Sequence, residues 1–510
     1  MDVMQATSDD PPRSKRHPMR TAASTCVLSG ERGVPGRAGP SWPTWTACAL
    51  LLIAGCTASG EDVHPPKTTL AFPSGLAITP NEQYLFVANA NSELQFDSGS
   101  ISVLDVNAIQ AKVEASLTGV TPPECKVDLE HSSSSVCAAE LFLKDGGDAS
   151  VRIGNFATDI ALQDFSSAGS TDGPYRVFVP TRGDPSIAWA DFVNGALRCN
   201  TSSVTFDLCD DAHRLSSLQN DPDLQALPEE PFGVYADGPS GVALVSHLST
   251  GAVTLIAAPP PLADPDTAAD VRIVDVRAGF FNVDASNSAG ATGITARPSV
   301  PGDPHTNILY VGSRSDHRVQ TFTVGTLPLV APGAPAPAVA PAPAYLVQGN
   351  YFFLTDVGNT VGGSTDTRGM KMSDNGDRLF LVNRQPPTLQ IYDTSIGVTG
   401  APRNLGIGGI DICRQASTVA VLDNGDGERA YVTCFLDGQI YVVDPRNLTQ
   451  PEDILLVGRG PYSAVGATKG TRKLLFVSNF LEDTIAVVNV TPGEATYNRV
   501  VLRIGTPRAQ

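Results

Sequence analysis

Little in this chain is charged or aromatic. Of its 510 residues 17% are charged and 6% aromatic, tryptophan occurs three times, and basic groups are outnumbered 35 to 53 by acidic ones. The resulting formal charge of −18 argues against nucleic acid as a partner, because a strand or duplex is held by Lys and Arg side chains that neutralise phosphates. Histidine is scarce as well. Beyond the first 55 residues it occurs at His64, His131, His213, His247, His305 and His317, no two closer than 12 positions, and no HExxH, CxxCH or GxSxG motif accompanies them. Propellers that hold copper or haem in their channel use several His ligands, so no cofactor and no metal is expected here.

Glycine and proline, by contrast, are plentiful at 47 and 40 residues, a composition of many short strands and turns rather than long helices. Residues 429–444, RAYVTCFLDGQIYVVD, show the unit. Tyr431, Val432 and Thr433 suit a pleated strand, Leu436-Asp437-Gly438 makes a turn, and Ile440 and Val442 alternate with Gln439, Tyr441 and Val443 in a second strand. Seven copies align on this unit, at 84–105, 175–191, 242–256, 308–322, 378–393, 429–444 and 474–489. Most are preceded by another strand with its own turn, as in GLAITPNEQ from Gly75 and GMKMSDNGD from Gly369, and a fourth strand lies between copies, as in VRIVDV from Val271. Four strands repeated seven times predict an all-β fold, a seven-bladed β-propeller of four-stranded antiparallel blades, because one such sheet buries its faces only against its neighbours.

Pro73-Ser74-Gly75, the turn Thr79-Pro80-Asn81 and the strand YLFVAN from Tyr84 to Asn89 resemble the YVTN-repeat propellers, whose repeats run from Pro-x-Gly through a turn to YVAN and a strand like VSVID. The resemblance covers residues 72–506 and departs from the pattern at Pro180, Gly312 and Cys434. It implies blades at roughly 72–154, 155–230, 231–280, 291–357, 367–405, 406–458 and 459–506. It implies a fold and no particular function, since members of the group do many things.

Residues 1–55 are different in kind. Arg13, Lys15, Arg16, Arg20, Arg32 and Arg37 lie among Pro, Ser and Gly with no strand or helix period, which reads as a disordered leader. The run WTACALLLIAGC at 45–56 then reads as a secretory apolar region, too short to span a bilayer as a stable anchor. Its ending Leu52-Ile53-Ala54-Gly55-Cys56 resembles the lipobox of bacterial lipoproteins. That resemblance implies lipidation of Cys56, removal of residues 1–55 as a signal peptide and, with Thr57 rather than Asp next, sorting to the outer membrane of the cell envelope, facing the periplasm or the surface. The leader exceeds what a signal peptide needs, which points to a start downstream at Met19. Residues 56–71 read as a linker, and the mature chain would carry 29 basic against 49 acidic groups.

Six cysteines follow Cys56, in three pairs local in sequence. An even count in an exported chain reads as disulfides, Cys125 with Cys137, Cys199 with Cys209 and Cys413 with Cys434. Cys413 precedes the first strand of its repeat and Cys434 ends the second, and those points are neighbours in an antiparallel hairpin. Cys209-Asp210-Asp211-Ala212-His213 sets zinc-ligand types in a row, but nearby Cys199 favours the disulfide. The segment DNGDGE at 423–428 is rich in oxygen ligands, yet it lacks the spacing of a calcium loop and fills the place of a hairpin turn. Arg182-Gly183-Asp184 matches an adhesion tripeptide that arises often by chance.

A blade of this type needs about 40 to 45 residues, and the surplus lies at 106–149, 194–229 and 325–342, each after a third strand. The last contains APGAPAPAVAPAPA, which would extend as polyproline II. The three are expected to crowd one face of the ring over blades one, two and four and to carry partner recognition, as loops on a rigid scaffold do. Arg314, His317, Arg368 and Arg384 lie on or near second-to-third strand connections and could face a common channel mouth, with no spacing that marks a nucleophile or general base. The expectation is a monomeric, lipid-anchored propeller, a binding or scaffolding module for protein or envelope polysaccharide, with no catalytic residue named. The alternative is a periplasmic hydrolase of the lactonase kind, because cytosolic lactonases share the ring topology.

Overall fold

The computed structural model describes residues 63–508 except 120, 132, 168–169, 171–172, 201–203, 217–225, 263–266, 282–289, 300–307, 328–341 and 356–364. Cys56 and residues 331–341 of the polyproline stretch therefore lie outside the described residues, while its last three residues open the strand Ala342–Phe353. Seven antiparallel sheets surround one axis, each built outward in chain order from an inner strand. The inner strands are Pro73–Ile78, Ala161–Asp164, Pro231–Asp237, Ala291–Ala296, Thr367–Met372, Ala416–Asp423 and Pro461–Ala467. This is the seven-bladed propeller the repeats predict.

The second and third strands of each blade are apolar nearly throughout because both of their faces are covered by neighbouring blades. Leu85, Phe86, Val87 and Ala88 are fully buried in sequence, and Tyr431 and Val432 likewise. Continuous apolar runs rather than alternation are what a sheet buried on both faces requires. Outer strands alternate instead, as Ile454 and Leu456 are exposed around buried Leu455. That outer position also sets one boundary: Leu405–Asp411 hydrogen-bonds to Pro387–Asp393, so it ends the fifth blade, where the repeat spacing put the division at 405/406.

In four blades a residue at the end of the second strand does a recurring task. Asn89 accepts from Ala71 N at 3.1 Å, Asn383 accepts from Asp366 N at 3.1 Å, and Asn479 donates to Val457 O at 2.9 Å. Each bond ties the chain arriving from the preceding blade to the blade it is about to start. His247 does the same with Glu229 O, at 3.1 Å from Nδ1.

Inner strands approach each other closely around the axis. A Cβ on Gly293 would stand 2.6 Å from Arg368 O, and one on Gly369 would stand 2.4 Å from Thr418 Cα, which is why glycine recurs two residues into these strands. In six blades the pairing of the inner strand slips at this point, between Pro73 and Gly75, Pro231 and Val234, Ala291 and Ile294, Thr367 and Met370, Ala416 and Val419, and Pro461 and Ala464. The bulges turn side chains at one end of the channel toward the axis.

The first and last blades each supply their own four strands, and side-chain contacts join them. Phe72 N donates to Asp483 at 2.7 Å, and the Glu82 carboxylate accepts from Thr468 N and Lys469 N at 2.8 and 2.6 Å. The insertion at 106–149 completes the closure. It begins with a helix, Val106–Leu117, capped by Asp105, which accepts from Asn107 N and Ala108 N. The sequence reading treated this stretch as loop, although Val106, Ile109 and Val113, the buried face, already show helical spacing. The strands Cys125–Val127 and Ser135–Cys137 then extend the seventh blade, the latter pairing in parallel with Arg499–Ile504. Arg503 meets Asp128 with two nitrogens at 2.7 and 2.9 Å and also reaches Glu130 and Glu482.

The first two insertions therefore do not crowd one face, and the third, at 325–342, lies largely outside the described residues. The first runs across to blade seven. The second splits the outer strand of blade two into Ala196–Arg198 and Arg214–Ser216, both paired with Ser186–Val193, and its middle hydrogen-bonds to Arg152 of blade one along the rim. An outer edge offers unpaired backbone groups, and these segments occupy it. The three disulfides are formed as read from the sequence, Cys125–Cys137, Cys199–Cys209 and Cys413–Cys434.

Candidate functional site

Side chains at the bulged ends of the inner strands and on the second-to-third connections meet at one mouth of the channel. They enclose a cavity of about 340 Å³, at the small end of the roughly 300–1,000 Å³ common for ligand pockets. Arg182, Arg314 and Arg384 come from the connections of blades two, four and five, and Arg368 from the bulge of blade five. Tyr462 and Phe232 come from the bulges of blades seven and three, and the Arg368 guanidinium lies 5.9 Å from the Phe232 ring. Arg314, Arg368 and Arg384 thus share a mouth as expected. His317 does not join them, since its ring stacks on Phe353 at 4.9 Å on the outer side.

The four guanidiniums are only partly neutralised. Arg182 pairs with Glu230, and Arg368 lies 2.8 Å from Asp366, with Arg384 at 3.9 Å from the same carboxylate. Arg314 is exposed and has no ion pair among the described residues. Burial first, and then the neighbouring Arg368, push Arg384 down to about 10. The Tyr462 phenol is raised by burial and by Asp159, and Arg368, Arg384 and Arg182 oppose that rise. These five groups line one space.

Asp159 stands deeper, shared between this cavity and a second one of about 440 Å³ further along the axis. Its oxygens accept from Ile160 N at 2.9 Å and Val234 N at 3.1 Å, and burial still raises its carboxyl to about 6. Around the same mouth Arg182 Nε, Ser417 Oγ and Thr367 Oγ1 are buried without a hydrogen-bond partner among the described residues. Buried polar atoms are normally satisfied, so their concentration here marks a place built to meet something polar.

The remaining sequence candidates are structural. Asp423 and Asn424 accept from Gly425 N, Gly427 N and Asp426 N inside a hairpin turn. Cys209 is held in its disulfide, and His213 sits 2.8 Å from Asp210 with its ring 4.2 Å from that of Trp189. Sequence reasoning missed Arg182, Asp159, Asp366 and Tyr462 as members of the mouth. The available signal was position: Tyr462 follows Pro461 as Phe232 follows Pro231, at the start of an inner strand.

No family model and no curated protein matches the chain. Among solved structures, Kuenenia stuttgartiensis hydrazine synthase is similar at a TM-score of 0.47 and 12% identity, over 85% of this chain and 99% of that one. The Myceliophteria thermophila Cps50 (Swd1) β-propeller domain reaches 0.44 at 9% identity, over 82% and 96%. The Pseudomonas aeruginosa periplasmic gluconolactonase PpgL reaches 0.43 at 15% identity, over 77% and 87%. Similarity at this level says nothing about chemistry.

Proposed function

We propose that this chain is a lipid-anchored binding module of the cell envelope whose channel mouth takes carboxylate groups of an acidic envelope polysaccharide. The observation that carries the reading is the convergence of Arg182, Arg314, Arg368 and Arg384 on one cavity in a chain of net charge −18. Guanidinium forks match carboxylates in shape as well as charge, and inside a concavity the field is focused rather than screened. The mature protein acts as a monomer, anchored through Cys56. Titration calorimetry with oligogalacturonate, against neutral maltohexaose and poly-glutamate, tests it. The expected result is salt-sensitive binding of oligogalacturonate alone, lost in Arg368→Ala. Equal binding of maltohexaose, or preference for poly-glutamate, would remove the polysaccharide reading.

The hydrolase alternative rests on one observation, the Asp159 carboxyl near 6, which suits a general base at neutral pH. Among the described residues no histidine lines the mouth, since His317 is turned outward and His247 is fully buried. Turnover of aldonolactones abolished by Asp159→Asn would favour it.

A further inference from the structure

We infer that one edge of the mouth-bearing face, at blades six, seven and one, rests against a lipid bilayer and leaves the mouth open. The inference rests on the lipid-anchor reading of Cys56 and adds an orientation to it. Apolar side chains stand exposed on successive second-to-third connections: Leu436 at 68% on blade six, Leu481 at 40% on blade seven and Leu94 at 51% on blade one. Val63, 51% exposed, stands beside the last of these. The connections form one surface. The rings of Phe435 and Phe480, next to Leu436 and Leu481, are 6.1 Å apart, and Arg508 joins Asp483 at 2.7 Å to Glu93 at 3.0 Å.

The chain enters the described fold on this same face, because Val63 O accepts from Asp97 N at 2.9 Å within the blade-one connection. Cys56 lies seven residues earlier, so full extension reaches at most about 25 Å. Blade strands of six or seven residues are themselves about 20–23 Å long. Presenting the opposite face to the membrane would consume the tether in passing the rim, whereas presenting this one leaves slack. Arg414, exposed and without an ion pair among the described residues, lies on the same face in the connection into blade six and suits headgroup phosphates.

The test uses full-length lipidated protein reconstituted in phosphatidylcholine vesicles containing brominated lipid, with a tryptophan reporter at one of two places. Leu436→Trp probes the proposed contact, and Val398→Trp probes the third-to-fourth connection of blade five, where Val398 is fully exposed. Background is low, since Trp189 is buried and Trp42 and Trp45 precede Cys56. The expected result is that Leu436→Trp emission falls at least twofold and shifts to the blue while Val398→Trp is unaffected. Protein that floats with vesicles but shows both reporters quenched alike, or neither, overturns the orientation and leaves the anchor standing. Unquenched Leu436→Trp with crosslinked dimers would instead assign the face to a second copy and also overturns it. Failure to float with vesicles removes the anchor reading, and the orientation with it.

Discussion

Cys434 is bonded to Cys413 where the corresponding residue of blade five, Asn383, holds the incoming chain by a hydrogen bond to Asp366 N. The departure from the repeat pattern at Cys434 is therefore a change of fastening, from hydrogen bond to covalent bond, at a conserved place in the blade plan. Cys413 lies in the connection into blade six as Asp366 lies in the connection into blade five.

Removing that bond with Cys413→Ala and Cys434→Ala should lower stability by about 2–4 kcal/mol. Placing asparagine at the strand end, Cys434→Asn with Cys413→Ala, should recover about 1 kcal/mol by restoring the hydrogen bond used elsewhere. Denaturant midpoints of the two double variants decide it, and an asparagine variant no better than alanine counts against the equivalence.

Arg503 is the charged centre of the clasp between the first insertion and blade seven. Its side chain and those of Asp128 and Glu482 are almost wholly buried, so Arg503→Ala strands Asp128 and leaves Glu482 with Arg459, 3.3 Å away. The expected loss is about 3–5 kcal/mol. Proteolysis between residues 120 and 135 should accelerate in parallel, and unchanged cleavage would show that the insertion holds the rim by other means.

The raised carboxyl of Asp159 gives the mouth a pH dependence. An acid whose folded pKa lies above its unfolded value penalises the fold above the folded pKa, and the penalty vanishes below the unfolded one. The window here runs from about 4 to about 6. As pH falls through 6 the mouth loses a negative charge, so oligogalacturonate should bind more tightly at pH 5 than at pH 7. Asp159→Asn should flatten both the binding and the stability profile across that window, measured by calorimetry and thermal denaturation.

Anchoring is tested by Cys56→Ala. The wild type should fractionate with membranes and the variant with the soluble fraction; identical fractionation would end the lipobox reading.

Strand-forming runs at regular spacing were enough to specify blade number and architecture, because a strand covered on both faces must be apolar along its length whatever surrounds it. Local cysteine spacing sufficed for the disulfides for a similar reason, each pair being separated by few residues. The mouth was only partly readable. Arg182, Arg314 and Arg384 sit on hairpin connections whose placement follows from the repeat, whereas Asp159 and Tyr462 are brought beside them by ring closure, which joins positions 159 and 462 across some 300 residues. The course of 106–149 could not be inferred either. Its strands pair with Arg499–Ile504 at the other end of the chain, and that register is set by an open sheet edge and by the ion pairs of Arg503, neither of which exists until the seven blades have closed.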